Sequence, residues 1–187
     1  MSEQDEFLTQ APAAPKWPLA LRYGLLTGLV MFAFGMLLEL TGLVDPVARK
    51  GGGYTYLITF AVLFGGLYLA VKEYKKECGN RITFGTALRF ATLTSVVIAL
   101  IGGVLALVQM TLINPDMIDQ IREFAIADME NRGMSEEQIE QGRKVMEVTT
   151  TPVVMSIFGG IFQFIFAFLM ALIAAAVHQN AKNPSAN

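Results

Sequence analysis

Asn114–Thr151 reads NPDMIDQIREFAIADMENRGMSEEQIEQGRKVMEVTTT, the one long polar segment of an otherwise apolar chain. Hydrophobic runs enter and leave it on both sides, so it reads as a water-exposed insertion held between membrane helices. Asn114-Pro115 supplies an N-cap and a proline at the first helical position, where its missing N–H costs nothing. Met117, Ile118, Ile121, Phe124 and Ala125 then recur at helical spacing, and the charged residues lie largely off that stripe. Gly133 ends the first helix. Ser135-Glu136-Glu137-Gln138 is a capping box that starts a second one at once. The segment is therefore expected to be a hairpin of two capped helices hinged at Gly133.

Outward from the hairpin lie four apolar runs. Tyr54–Val71, Phe90–Ile113 and Val153–Val177 contain no Asp, Glu, Lys or Arg, and Leu19–Val44 contains only Arg22 and Glu39. A bilayer core of ~30 Å needs ~20 helical residues, so each run spans it or nearly so. The 187 residues are 53% hydrophobic and 16% charged, with mean hydropathy +0.49. A soluble bundle is the alternative, and it fails because nothing remains to cover four nearly uncharged helices. The expected fold class is all-α: a polytopic membrane protein with four transmembrane helices and an extracytoplasmic helical hairpin between helices three and four. The expected divisions are a disordered tail at 1–18, helices one to three at 19–113, the hairpin at 114–151, helix four at 152–178 and a disordered tail at 179–187.

The N-terminal tail ends in Lys16 and Trp17, which suit the headgroup layer. It does not read as a cleaved signal, because the apolar run starts late and is too long for one. Helix one, expected at about Leu19–Leu43, carries Gly24, Gly28, Gly35 and Gly42 near one stripe, with Gly24 and Gly28 forming GxxxG. Packing inside the chain outweighs dimerisation there, since three other helices also need partners. Asp45–Gly53 reads as a turn and glycine joint. Helix two, Tyr54–Val71, offers Ala61 and Gly65 as a small-residue pair, and Gly79-Asn80 marks the next turn. In helix three, Thr83 is the expected N-cap, and Ala87, Ala91, Ser95, Ala99 and Gly103 form a ladder of small residues.

Charge placement orients the chain. Lys16, Arg22, Lys72, Lys75, Lys76, Arg81 and Lys182 crowd the side that holds both termini, whereas only Arg49 and Lys50 lie near the membrane on the other. The positive-inside rule puts both termini in the cytoplasm of an inner (cytoplasmic) membrane. The hairpin then lies outside, with nine acidic and four basic residues and a net charge of −5.

Few residues invite chemistry. One cysteine, Cys78, excludes an intramolecular disulfide, and with one histidine, His178, it argues against zinc or iron–sulfur sites. No cofactor is expected, and the absence of a basic tract argues against nucleic acid. His178 lacks a placed nucleophile, so no triad forms and no enzyme is expected. Lys75, Lys76 and Arg81 flank Cys78 and favour its thiolate, but an incidental thiol is the plainer reading. Ionisable groups inside membranes are costly, and by default they point to function. Glu39 is the strongest candidate of this kind, with Gln109 near its level and Gln163 deeper. They line a polar pocket for a cation or small solute on one reading. On the other, which the depth of Glu39 favours, Glu39 sits among headgroups and the glutamines hydrogen-bond between helices.

The chain resembles a bacterial family of four-helix membrane proteins found mainly in Bacteroidetes, domain of unknown function number forty-one ninety-nine. The matching residues are Arg22-Tyr23-Gly24-Leu25-Leu26-Thr27-Gly28, Ile82-Thr83-Phe84-Gly85-Thr86-Ala87, Asn114-Pro115-Asp116 and Gly133-Met134-Ser135-Glu136-Glu137-Gln138-Ile139-Glu140. The resemblance covers about Leu19–Gln179, implies a bacterial inner membrane and supplies no site residue. The functional expectation is a non-enzymatic structural or interaction protein of the cell envelope. It contacts the lipid bilayer, and an envelope protein partner through Met117, Ile118, Ile121 and Phe124. A transporter or channel subunit using Glu39 is the alternative. A homo-oligomer is a further expectation, because four helices bury only part of their small-residue faces.

Overall fold

The computed structural model describes residues 16–45, 47 and 53–180, with only the backbone at Tyr54. The expected tail over 1–15, the Gly51-Gly52 joint, Arg49, Lys50 and the tail over 181–187 lie outside these residues. The chain is all-α: α1 (Trp17–Leu40), α2 (Gly53–Glu77), α3 (Phe84–Val108), α4 (Met117–Asn131), α5 (Glu136–Thr149) and α6 (Pro152–His178). Among the described residues, α1, α2, α3 with its extension to Ile113, and α6 are long and apolar enough to cross a bilayer. This is a polytopic membrane protein.

Helix boundaries follow local chemistry. Thr83 caps α3 by accepting from the Thr86 N–H at 3.3 Å, and Thr151 caps α6 by accepting from Val154 N–H at 3.3 Å. Both caps satisfy donors that the first turn leaves open. At the α2–α3 turn, Gly79 and Asn80 adopt φ of 71° and 63°. Helix one begins two residues earlier than expected, so Trp17 and Pro18 belong to α1 and not to the tail, and it ends at Leu40. Helix two runs six residues past Val71, because Lys72–Glu77 are good helix formers whose charges reach solvent.

Side-chain contacts fix the arrangement. Gly24 meets Val97 and Gly28 meets Ile101, so α1 and α3 lie side by side and parallel. Gly66 of α2 meets Thr27 of α1, and Lys16 pairs with Glu77 at 2.7 Å, so those two helices are antiparallel. The Glu77 carboxylate holds the Lys16 ammonium above its ordinary pKa. A Cβ added at Gly103 of α3 or Gly160 of α6 would lie 3.4 Å from a backbone oxygen of the other helix, that of Ser156 or Ala99. The GxxxG pair therefore packs within the chain, as expected. The Ala61–Gly65 pair does not pack: a Cβ added at Gly65 would meet nothing within 4 Å, and Gly66, one residue and 100° further round the helix, makes the contact instead.

The core is concentrated at the end of the bundle where α1 begins and α6 ends. There Ala87, Ala91 and Ser95 of α3 face Ala167, Ala171 and Ala175 of α6, all fully buried. Small residues let the backbones approach, which is how helices associate where lipid is as apolar as leucine. Two buried hydroxyls of α3 are satisfied inside their own helix: Thr94 donates to Phe90 O at 3.0 Å and Ser95 to Ala91 O at 2.9 Å. Tyr74 stacks on Phe90 with ring centroids 4.2 Å apart. Asn180, which its polarity assigns to the tail, is held instead. Its Oδ1 accepts from Ile82 N–H at 2.9 Å, and its own N–H donates to Ile82 O at 3.1 Å.

At the opposite end the last turn of α3 widens. Asn114 N–H donates to Gln109 O at 2.8 Å, an i→i−5 bond that makes Gln109–Ile113 a π-helical turn. Asn114 is consequently not the N-cap of α4. Pro115 keeps the residue before it out of the helical region, and Asn114 sits at φ −137° as the cap of the π turn. Helix α4 begins two residues later than expected, at Met117. The remaining hairpin signals hold. Gly133 has φ +70°, and the Ser135–Gln138 capping box is complete.

Candidate functional site

The small residues that close one half of the bundle give way to a hollow in the other. On α1, Gly28, Met31, Phe32, Gly35, Met36 and Glu39 recur at helical spacing and share one face. That face opens on a cavity of about 310 Å³ between α1, α3 and α6. Gly28 and Gly102 leave its floor without side chains. A Cβ at Gly102 would collide with the Gln163 amide, so the glycine is what admits that amide.

The structure brings Glu39, Gln109 and Gln163 to this one cavity from three different helices. Glu39 lies one residue from the end of α1 and is half-buried. Gln109 Nε2 donates to Glu39 Oε2 at 2.8 Å. A carboxylate can only accept, which fixes the orientation of the Gln109 amide. Gln109 is also the first residue of the π turn, and the wider coil sits where its side chain turns toward α1. Gln163 lies deeper: its neighbour Gly102 is about 10 Å below Gln109 at 1.5 Å per residue. The Gln163 amide makes no hydrogen bond among the described residues and faces the hollow. Among the described residues, none that lines the cavity is basic.

Depth alone favours a headgroup position for Glu39 and interhelical bonding for the glutamines. Part of that holds, since the Gln109–Glu39 bond joins α1 to α3. The cavity itself does not follow from depth, although the stripe from Gly28 to Glu39 carries its signal. Its roof is a second departure from expectation. Met117 lines the cavity and is only 6% exposed, and Ile118 is equally buried. These two residues, expected on a partner surface, are buried inside the chain, in the first turn of α4 just after the Asn114-Pro115 turn. Ile121 is half-buried, and Phe124 remains exposed at 41%.

The hairpin is clamped to itself. Arg122 of α4 donates through Nε to Thr150 Oγ1 at 3.0 Å and through NH2 to Thr150 O at 2.9 Å. Thr150 is the C-cap of α5, where carbonyls lack helical partners and a cation is favoured. Met129 of α4 packs over Gly142 of α5.

A second hollow, about 550 Å³, is an apolar groove on the outer surface of α3 and α6. Ser156 is its one hydroxyl and is bonded to Pro152 O at 2.7 Å, so the groove offers lipid chains a surface but no chemistry. His178 and Cys78 both serve the packing of the bundle. His178 is buried, its Nδ1 donates to Ala174 O at 2.9 Å, and its ring centroid lies 4.3 Å from that of Tyr68. Lys75 donates to His178 O at 2.8 Å and Lys76 pairs with Glu73, so two of the cations expected to activate Cys78 are committed elsewhere. Cys78 is half-buried against the core.

No curated protein and no solved structure matches the chain. A family model, described as a protein of unknown function (DUF4199), matches residues 22–180. That span includes every described residue that lines the cavity, the hairpin and the Asn180 contact, and the chain belongs to this family of proteins of unknown function.

Proposed function

We propose that the chain is a non-enzymatic membrane protein that binds a small polar or cationic solute in the Glu39 cavity, as a transporter or channel subunit. The observation that carries this reading is the meeting of one carboxylate and two amides, from three helices, in a hollow that the bundle could have filled with side chains. A mostly apolar hollow with a few convergent polar groups is the default place for a small molecule to bind. The charge asymmetry along the sequence supports an inner-membrane location with both termini cytoplasmic, so the cavity mouth faces outward beneath the hairpin. The test is flux and binding in liposomes carrying the wild-type chain or Glu39→Gln. Loss of uptake in the variant is expected, and equal flux would count against the assignment.

A second reading retains the envelope partner. Phe124, Val145 and Val148 stay exposed on the hairpin, at 41%, 61% and 71%. Replacing all three by serine should abolish co-purification of a partner while leaving the cavity intact. An unchanged set of partners would dispose of this reading.

A further inference from the structure

We infer that the solute of the Glu39 cavity is a small organic cation: a primary ammonium on an apolar chain that ends in a hydrogen-bonding group. This rests on the reading that the cavity binds a solute, and it adds the chemical class.

The cavity has two polar poles and an apolar middle. Glu39 and Gln109 form the pole near the mouth, and Gln163 forms the deeper one, displaced by about 10 Å along α3. Between them the wall is built of Met31, Phe32 and Met36 with bare glycine backbone. A solute polar on every side would leave its central groups without partners against that wall, which is costly when buried. A hard metal ion requires about six oxygen ligands. The side chains here present one carboxylate and two amides at separated poles, and the glycines contribute helical backbone whose carbonyls are already bonded. An alkylammonium suits all three zones. Its charged head meets the one carboxylate, for which no lining residue among the described residues supplies a competing cation. Its methylenes meet thioethers and a phenyl ring, polarisable surfaces that accept an adaptable apolar chain. Its far end meets the Gln163 amide, which has no hydrogen-bond partner among the described residues and offers both a donor and an acceptor. The volume agrees: about 310 Å³ is about ten water volumes at ~30 Å³ each, the scale of a small amine.

The test uses the full chain in lipid nanodiscs, titrated with ω-hydroxyalkylammonium ions about four to eight carbons long, a range matched to the ~10 Å between poles. Plain alkylammonium ions, the corresponding diols, and sodium and potassium chloride run beside them. The expected affinity rises about fourfold per methylene until the chain outgrows the cavity, and then falls. Glu39→Gln keeps an acceptor for Gln109 and so preserves the fold, which its unliganded melting temperature reports. It should weaken the ammonium series by about tenfold to a hundredfold and leave the diols unchanged. Gln163→Leu should erase only the advantage of the terminal hydroxyl. Equal ammonium binding by wild type and Glu39→Gln would mean simple partitioning into lipid and would overturn the inference. Glu39-dependent binding of sodium or potassium without binding of the ammonium series would overturn it as well, while leaving the broader assignment standing. No Glu39-dependent binding of any probe would overturn both.

Discussion

Replacing Gly24 by alanine should destabilise the protein, although alanine is the better helix former. A Cβ built at Gly24 falls 2.5 Å from Val97 Cγ1, 2.6 Å from Val97 Cβ and 3.3 Å from Thr94 O. Carbon atoms pack best at about 3.5–4.0 Å. Rotating Val97 about χ1 moves its Cγ1 but not its Cβ, so the helices themselves must separate by about 1 Å. Overpacking of this kind costs ~1–3 kcal/mol, against a propensity gain of at most ~1 kcal/mol. Gly35, eleven residues along the same helix, has nothing within 4 Å. Gly35→Ala should therefore keep the propensity gain and stabilise by up to ~1 kcal/mol. Equilibrium unfolding in mixed detergent micelles should move the midpoint in opposite directions for the two variants. Val97→Ala in the Gly24→Ala background should recover part of the loss, with a coupling of about 1–2 kcal/mol. Equal shifts for Gly24→Ala and Gly35→Ala would refute the α1–α3 contact. Dissociation of a dimer at unchanged subunit stability would move the glycine face to an interface between copies.

Other perturbations test the pins elsewhere in the fold. Arg122→Gln should free the last turn of α5 and speed amide exchange there by the equivalent of ~1.5–3 kcal/mol. Amides in α3 and α6 should be unaffected, and unchanged protection in α5 would deny the clamp. Asn180→Ala removes the acceptor of the Ile82 N–H. It should cost ~1–2 kcal/mol, seen as faster exchange at Ile82 and a lower unfolding midpoint. Ser135→Ala should cost the hairpin ~1 kcal/mol, read as loss of protection at the Gln138 amide, from which Ser135 Oγ accepts at 3.4 Å.

What the sequence discloses depends on range. Thr83, Gly133 and the Ser135–Gln138 box are readable because each bond closes within three or four residues. The membrane spans are readable from hydropathy alone. Tertiary facing is less accessible: Gly65 and Gly66 are adjacent and equally small, and only the position of Thr27 on α1 decides which one packs. The π turn is invisible in sequence because an i→i−5 bond has no composition of its own. It follows from the way Asn114 and Pro115 redirect the chain. Counting helical rise finds the polar trio, but it gives depth and not azimuth. Thus Glu39 and Gln109 fall at one level in the sequence, while the cavity they share emerges only in the fold. Met117 and Ile118 are misassigned by sequence because an amphipathic stripe does not say whether its apolar side meets a partner or its own chain.

The two halves of the bundle differ in how they are held. One half is held by Lys16–Glu77, Lys75–His178, the paired Asn180–Ile82 bonds and the Tyr74–Phe90 stack, around a core of fully buried alanines. Interiors packed in this way do not deform gradually. The other half contains the cavity, the π turn and the hairpin, and its roof is one flexible side chain, Met117, at the first residue of α4. Arg122, five residues further, binds Thr150, two residues before α6 begins. The hairpin thus ties the end of α3 to the start of α6, and it cannot lift as a whole without drawing Met117 from the cavity.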